Sequence, residues 1–207
     1  MKCKNEEGIE SKKLNIIKGF RVKKMGKHGV LLRIFKQYHI EWIWYLSKEM
    51  RYLIFFAAGI FALDQLFKHA IDEEPKENFP RDLPGSKGLV QIRRAHNPGF
   101  SMGRLEKYPK LVKTLSLLAT LFLIFALPYM SILLGDGFFL QKWGTAMVIG
   151  GASSNTYDRL IKGKVTDYIN VRVPFLKNAI INIGDIAIYL GGMLYGIGVI
   201  IDLLKNK

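Results

Sequence analysis

Four long apolar runs constrain this chain more than any other feature. They are YLIFFAAGIFALDQLFKHAI (52–71), LVKTLSLLATLFLIFALPYMSILLG (111–135), FFLQKWGTAMVIGGASSNTY (138–157) and AIINIGDIAIYLGGMLYGIGVIIDLL (179–204). Each approaches or exceeds the roughly 20 residues a helix needs to cross a bilayer. The runs are continuous rather than alternating, and lipid demands backbones satisfied within their own segment, so helices are expected. The connection from Asp72 to about Lys110 is polar and holds most of the prolines. A short turn, GDGFF, joins the second and third runs. The segment from Asp158 to about Asn178 contains VTDYINVRVPFL, whose alternation predicts a short strand or hairpin. The expected fold is an all-α integral membrane bundle of four transmembrane helices with a small extracytoplasmic β-rich loop region.

The charge fits that fold. The chain carries 31 Lys and Arg against 17 Asp and Glu, a net charge of +14. In a soluble domain such basicity suggests nucleic acid. Here long apolar blocks accompany it, so basic flanks of a membrane protein account for it without a nucleic-acid partner. The single cysteine, Cys3, precludes an intrachain disulfide, and no apolar stretch precedes it as a signal would. Residues 1–48 read as a basic, amphipathic extension to a membrane domain at 49–207. Met1 to Gly29 reads as a solvated tail, while Trp42, Trp44 and Tyr45 suit a headgroup belt. Four crossings put both termini on one side. The Lys/Arg excess before Arg51 and the final LLKNK place that side in the cytoplasm.

Ionisable groups within apolar runs are functional candidates. They gather at the outward ends of three runs: Asp64 and Lys68 in the first, Asn155, Asp158 and Arg159 in the third, Asn182 and Asp185 in the fourth. Asp64 and Lys68 stand at i and i+4, the favourable order for a helical ion pair. Asn155, Asp158 and Arg159 share one helix face, and Asn182 and Asp185 share another. Asp167 follows in the loop after Gly163. Two facing carboxylates titrate as a unit. The ionised member takes a proton from water while the neutral one donates to a carbonyl oxygen. That chemistry needs no metal and no cofactor, and the four histidines form no metal-ligand pattern with carboxylates. A serine–lysine pair, Ser101 with Lys68, is a second reading, weakened by the structural role Asp64 offers Lys68. A proton-relay transporter is a third, but no chain of acids crosses the bilayer. On spacing alone, Asp158 with Arg159 and Asp64 with Lys68 read as structural pairs, and the two asparagines as interhelical glue.

Four motifs in order point further. DQLFK, NPGFSMG, GASSNTYDRLIKGKVTD and INIGD together resemble the motif set of signal peptidase II, the bacterial lipoprotein signal peptidase family, over about Tyr52 to Leu204. The resemblance implies an aspartyl dyad of Asp167 and Asp185. It places Asn155, Arg159 and Asn182 in the site lining, Asn97 and Gly99 in the outer-loop motif, and Asp64 with Lys68 as a supporting pair. Asp158 and Gly163 stay structural. It implies a place in the bacterial cytoplasmic membrane, with the active site near the outer face, and nothing in the sequence demands more than a monomer. The implied substrates are lipid-modified prolipoproteins, cut just before a diacylglyceryl-cysteine, and the implied inhibitor is globomycin. Departures from the family pattern fall at Ser101, Met102, Ser154, Ile181 and Gly184. Two alternatives stay open: a non-cleaving lipoprotein-binding paralogue, and a presenilin- or prepilin-peptidase-like dyad of Asp158 and Asp185, to which TYD and IGD are similar.

Overall fold

The computed structural model describes residues 47–99, 105–134, 138–173 and 179–205. Trp42, Trp44, Tyr45, Ser101 and Met102, singled out above, lie outside them. Four long helices form where the sequence is apolar: α1 (Lys48–Glu73), α2 (Pro109–Leu134), α3 (Phe139–Ile161) and α4 (Ile183–Lys205). Their ends depart from the apolar runs for local reasons. Helix α1 begins before its run because Ser47 caps it, the hydroxyl accepting from the Met50 N–H at 3.1 Å. At its far end the Arg94 guanidinium donates to the carbonyls of Ile71, Asp72 and Glu74, groups a helix terminus leaves unbonded.

The start of α4 is a correction. Ile180 and Ile181 lie in a strand, and Asn182 precedes the helix instead of sharing a helical face with Asp185. Its side-chain oxygen accepts from the Asp185 N–H at 2.8 Å, and the Asp185 carboxylate accepts from the Asn182 N–H at 3.3 Å. This reciprocal capping box fixes Asp185 at the third helical position.

Helices α1 and α4, and α2 as far as Ile132, are long and apolar enough to cross a membrane. Their outward faces leave Phe122 and Phe125 71% exposed and Ile132 79%, a surface suited to lipid and unsuited to water. Helix α3 differs. It buries Lys142, Ser154, Asn155, Asp158 and Arg159 and packs on all three other helices. Its low apolarity reflects protein surroundings. The α3–α4 backbones meet at Gly144 and Gly191. A Cβ on Gly144 would stand 2.5 Å from the Gly191 carbonyl oxygen, and one on Gly191 2.6 Å from that of Gly144. Only glycine permits that approach.

A four-stranded antiparallel sheet, β1 (Arg81–Asp82), β2 (Val90–Asn97), β3 (Val165–Val171) and β4 (Ile180–Ile181), is strung between the C-terminal ends of α1 and α3 and the start of α4. The predicted strand is β3. Its main partner, β2, comes from the polar connection, where the sequence suggested no strand. Gly163 turns the chain from α3 into β3 at φ 74°, the left-handed region glycine enters without strain. The register sets Asp167 opposite Ala95 and Val165 opposite Asn97.

Candidate active site

Two carboxylate clusters sit where the sheet meets the helix ends. The first is ionic. Lys68 Nζ lies 2.7 Å from Asp64 and 3.1 Å from Asp158, and all three side chains are fully buried. Ser154 donates to Asp64 at 2.5 Å, and Gln65 donates to the Ser154 hydroxyl at 2.8 Å and to Asp158 at 3.2 Å. Lys162 reaches Asp158 from outside at 3.2 Å. Asp158 thus forms ion pairs with both Lys68 and Lys162. A buried charge is tolerated only when it is paired, and here one lysine pairs with both acids.

The second cluster is built from amides. Asn182 donates to Asp167 at 2.7 Å, Asn97 donates to its other oxygen at 3.2 Å, and Asn155 donates to Asp185 at 2.8 Å. Each of these asparagines has its side-chain oxygen held from behind. Gly99 N–H holds Asn97, Asp185 N–H holds Asn182, and Lys68 holds Asn155, at 2.9, 2.8 and 2.8 Å. An amide pinned at its oxygen must present its NH2 group, so every one is aimed at a carboxylate. Asn182 also donates to the Asn155 oxygen at 3.2 Å, closing a path from Asp167 to Asp185. Burial pushes the Asp167 carboxyl up, the neighbouring Asp185 charge adds to this, and the two amides oppose it, leaving it at about 6.

The structure therefore gathers Asp64, Lys68, Asn97, Gly99, Asn155, Asp158, Arg159, Asp167, Asn182 and Asp185 around one centre. Arg159 donates to the Gly99 carbonyl at 2.8 Å and to its own helix at Asn155, tying the loop at Gly99 to α3. Four participants escaped the sequence reading. Gln65 follows Asp64 on the polar face of α1, so helical spacing offered a signal for it. Ser154 appeared only as a departure. Thr166 donates to both oxygens of Asp72 at 3.0 Å, clamping β3 to the end of α1 beside Asp167. Tyr168 stacks on Phe67, and its hydroxyl accepts from the Ile183 N–H at 3.4 Å. The last two depend on strand placement and have no local signal.

Apolar helices around a buried cluster of acids and amides define a helical membrane protein with a polar centre at one end of its bundle. Residues 56–201 match the family model for signal peptidase (SPase) II, and the chain belongs to that family. Membership makes it a membrane protease. It is 31% identical to the lipoprotein signal peptidase of Mesorhizobium japonicum over 143 residues, covering 69% of this chain and 81% of that one. Against the lipoprotein signal peptidase of Solibacter usitatus it is 30% identical over 155 residues, covering 73% and 89%. A solved bacterial membrane enzyme superposes with a TM-score of 0.58 at 25% identity, covering 75% of this chain and 94% of that one.

Proposed function

We propose that the chain is an aspartyl endopeptidase that removes signal peptides from diacylglyceryl-modified prolipoproteins, cutting just before the lipidated cysteine. The observation that carries this reading is the amide-bridged pair, Asp167 and Asp185, reached from opposite sides by Asn182 and Asn155. Asp167, raised to about 6, holds the shared proton. Asp185 takes a proton from water as its oxygen adds to the scissile carbonyl carbon. Asp167 donates its proton to the carbonyl oxygen, giving a neutral tetrahedral diol. Proton return through the same pair expels the amine. Asn97, Asn155 and Asn182 keep the carboxylates in place through the cycle, and Arg159 holds the loop at Gly99 beside them. Asp64 and Lys68 brace Asn155.

In this reading all four helices cross the cytoplasmic membrane of a bacterium as a monomer. Both termini lie in the cytoplasm, and the site opens near the outer face. Residues 49–207 form the peptidase domain and 1–48 an appended basic segment. The rival dyad of Asp158 and Asp185 is disfavoured because Lys68 and Lys162 both pair with Asp158. The deciding experiment follows cleavage of a diacylglyceryl-modified prolipoprotein in membranes, with globomycin as a control. Asp167→Asn is expected to abolish cleavage while the protein remains folded. Full activity in Asp167→Asn, with loss only in Asp158→Asn, would overturn the assignment.

A further inference from the structure

The strands that present Asp167 have a second face. Side chains alternate along a strand. Asn97 and Asp167 turn toward the centre described above, whereas His96 and Thr166 turn toward Asp72 at the end of α1. On that far side an open cavity of about 640 Å³ is lined by Lys76, Arg93, Arg94, His96 and Lys164, with Phe79 and Pro80. Five of the seven lining residues are basic types and none is acidic.

The neighbouring carboxylates already have cationic partners. Glu74 pairs with Arg81, and Asp72 with His96 and Lys162; among the described residues no ion pair reaches Lys76, Arg93, Arg94 or Lys164. The cavity is also partly preorganised. Arg94 is fixed by the three carbonyls ending α1 and lies 5.5 Å from the centre of the Phe79 ring. Arg93 is steadied by a 2.6 Å hydrogen bond from its Nε to Gln91. Convergent guanidinium and ammonium groups, four of them outside any ion pair, are suited to a phosphate.

Depth identifies the source of that phosphate. Helix α1 has 26 residues, about 39 Å at ~1.5 Å per residue. The hydrocarbon core is about 30 Å thick. The end of α1, and Lys76 just beyond it, therefore emerge among lipid headgroups. We propose that this cavity binds the phosphate of an anionic phospholipid headgroup and so seats the back of the β2–β3 ribbon on the membrane surface. The lipid would brace the strand that carries Asp167 from the side opposite the substrate. The inference concerns binding and stands whether or not the catalytic reading holds.

The test uses the full chain released from nanodiscs of mixed phosphatidylglycerol and phosphatidylcholine, with retained lipids counted by native mass spectrometry. The wild type is expected to keep one phosphatidylglycerol in preference to phosphatidylcholine. A Lys76→Gln/Arg93→Gln/Lys164→Gln variant changes no residue that caps a helix or forms an ion pair. Its retention is expected to fall on the order of a hundredfold, roughly fivefold per cation near a membrane surface. Its circular dichroism should be unchanged; were it altered, Lys164→Gln alone, with its fivefold loss, decides. Inorganic phosphate in millimolar excess is expected to leave the lipid in place. Equal retention by wild type and variant, or no preference for the anionic lipid, overturns the proposal. Displacement by inorganic phosphate overturns the lipid assignment in favour of a free-phosphate site.

Discussion

The two acidic clusters use the same residue type a few ångströms of protein apart and are held in opposite ways. Asp64 and Asp158 are locked by a fully buried lysine. Asp167 and Asp185 are held by asparagine amides, themselves pinned at their oxygens. A cation holds its partners by charge. At Asp167 the amide donors favour the ionised carboxylate only modestly and burial works against it, which leaves it at about 6. The clusters meet at Asn155, whose oxygen takes the Lys68 ammonium at 2.8 Å and whose NH2 serves Asp185. In the proposed reading one cluster is scaffold and the other transfers protons.

That contrast can be broken at several points. The largest effect is expected from Asp167→Asn or Asp185→Asn. Each should lower the cleavage rate on the order of 10⁴-fold or more with little change in melting temperature, and the double variant should be no worse than either single. Lys68→Met should do the reverse and damage the fold first. It strands the buried Asp64 carboxylate and leaves Asp158 with Lys162 alone, at about 3–5 kcal/mol, and adding Asp64→Asn should restore part of the loss. Detergent-phase thermal or chemical unfolding measures both; a Lys68→Met protein as stable as wild type would remove the distinction between the clusters.

The pH profile is the next lever. Asp167 must be protonated to donate, so kcat/KM should fall as pH rises through about 6. Asn97 donates to the ionised form and holds the pKa down. Asn97→Ala should therefore raise it and move the alkaline limb to higher pH, whereas a limb moving to lower pH would contradict the assignment. The smallest effects concern Ser154 and Gly184. Removing the Ser154 hydroxyl should cost about 1 kcal/mol. Gly184→Ala would put a Cβ 2.8 Å from the Asp64 carboxylate that Ser154 also contacts. The two changes should be less harmful together than their sum, because a shared carboxylate relaxes once. A double-mutant cycle on stability reads that coupling, and strict additivity would show the two departures to be unrelated.

Much of this was legible in the sequence. Apolar runs located the helices, and helical spacing located the Asp64–Lys68 pair. Spacing grouped Asp158 with Arg159 as a structural pair and offered no partner for Asp167, because it sees only contacts along one helix. Asp167 enters through Gly163 and a strand partnered by β2, a pairing between segments about seventy residues apart; only the ordered motifs pointed to it. The membrane character of α3 was read from its apolar residues, yet its polar ones decide its place at the centre of the bundle. The N-x-x-D pattern of Asn182 to Asp185 was a readable capping box, hidden because the preceding isoleucines seemed to extend the helix when they belong to a strand.

The burial of α3 bears on how the chain is made. A charged residue at the centre of an isolated helix costs about 2.5–3.5 kcal/mol to insert, and α3 carries Lys142, Asp158 and Arg159. Lys142 finds its counter-ion, Glu49, at 2.9 Å on α1, and Asp158 finds Lys68 there. Entry of α3 into lipid is therefore expected to depend on a helix synthesised earlier. An insertion reporter fused after α3 should read failure when α3 stands alone and success when α1 precedes it. Asp185 arrives later still, with the last helix. In the proposed reading the dyad stays incomplete while the chain is being threaded into the membrane, and activity begins only on its completion.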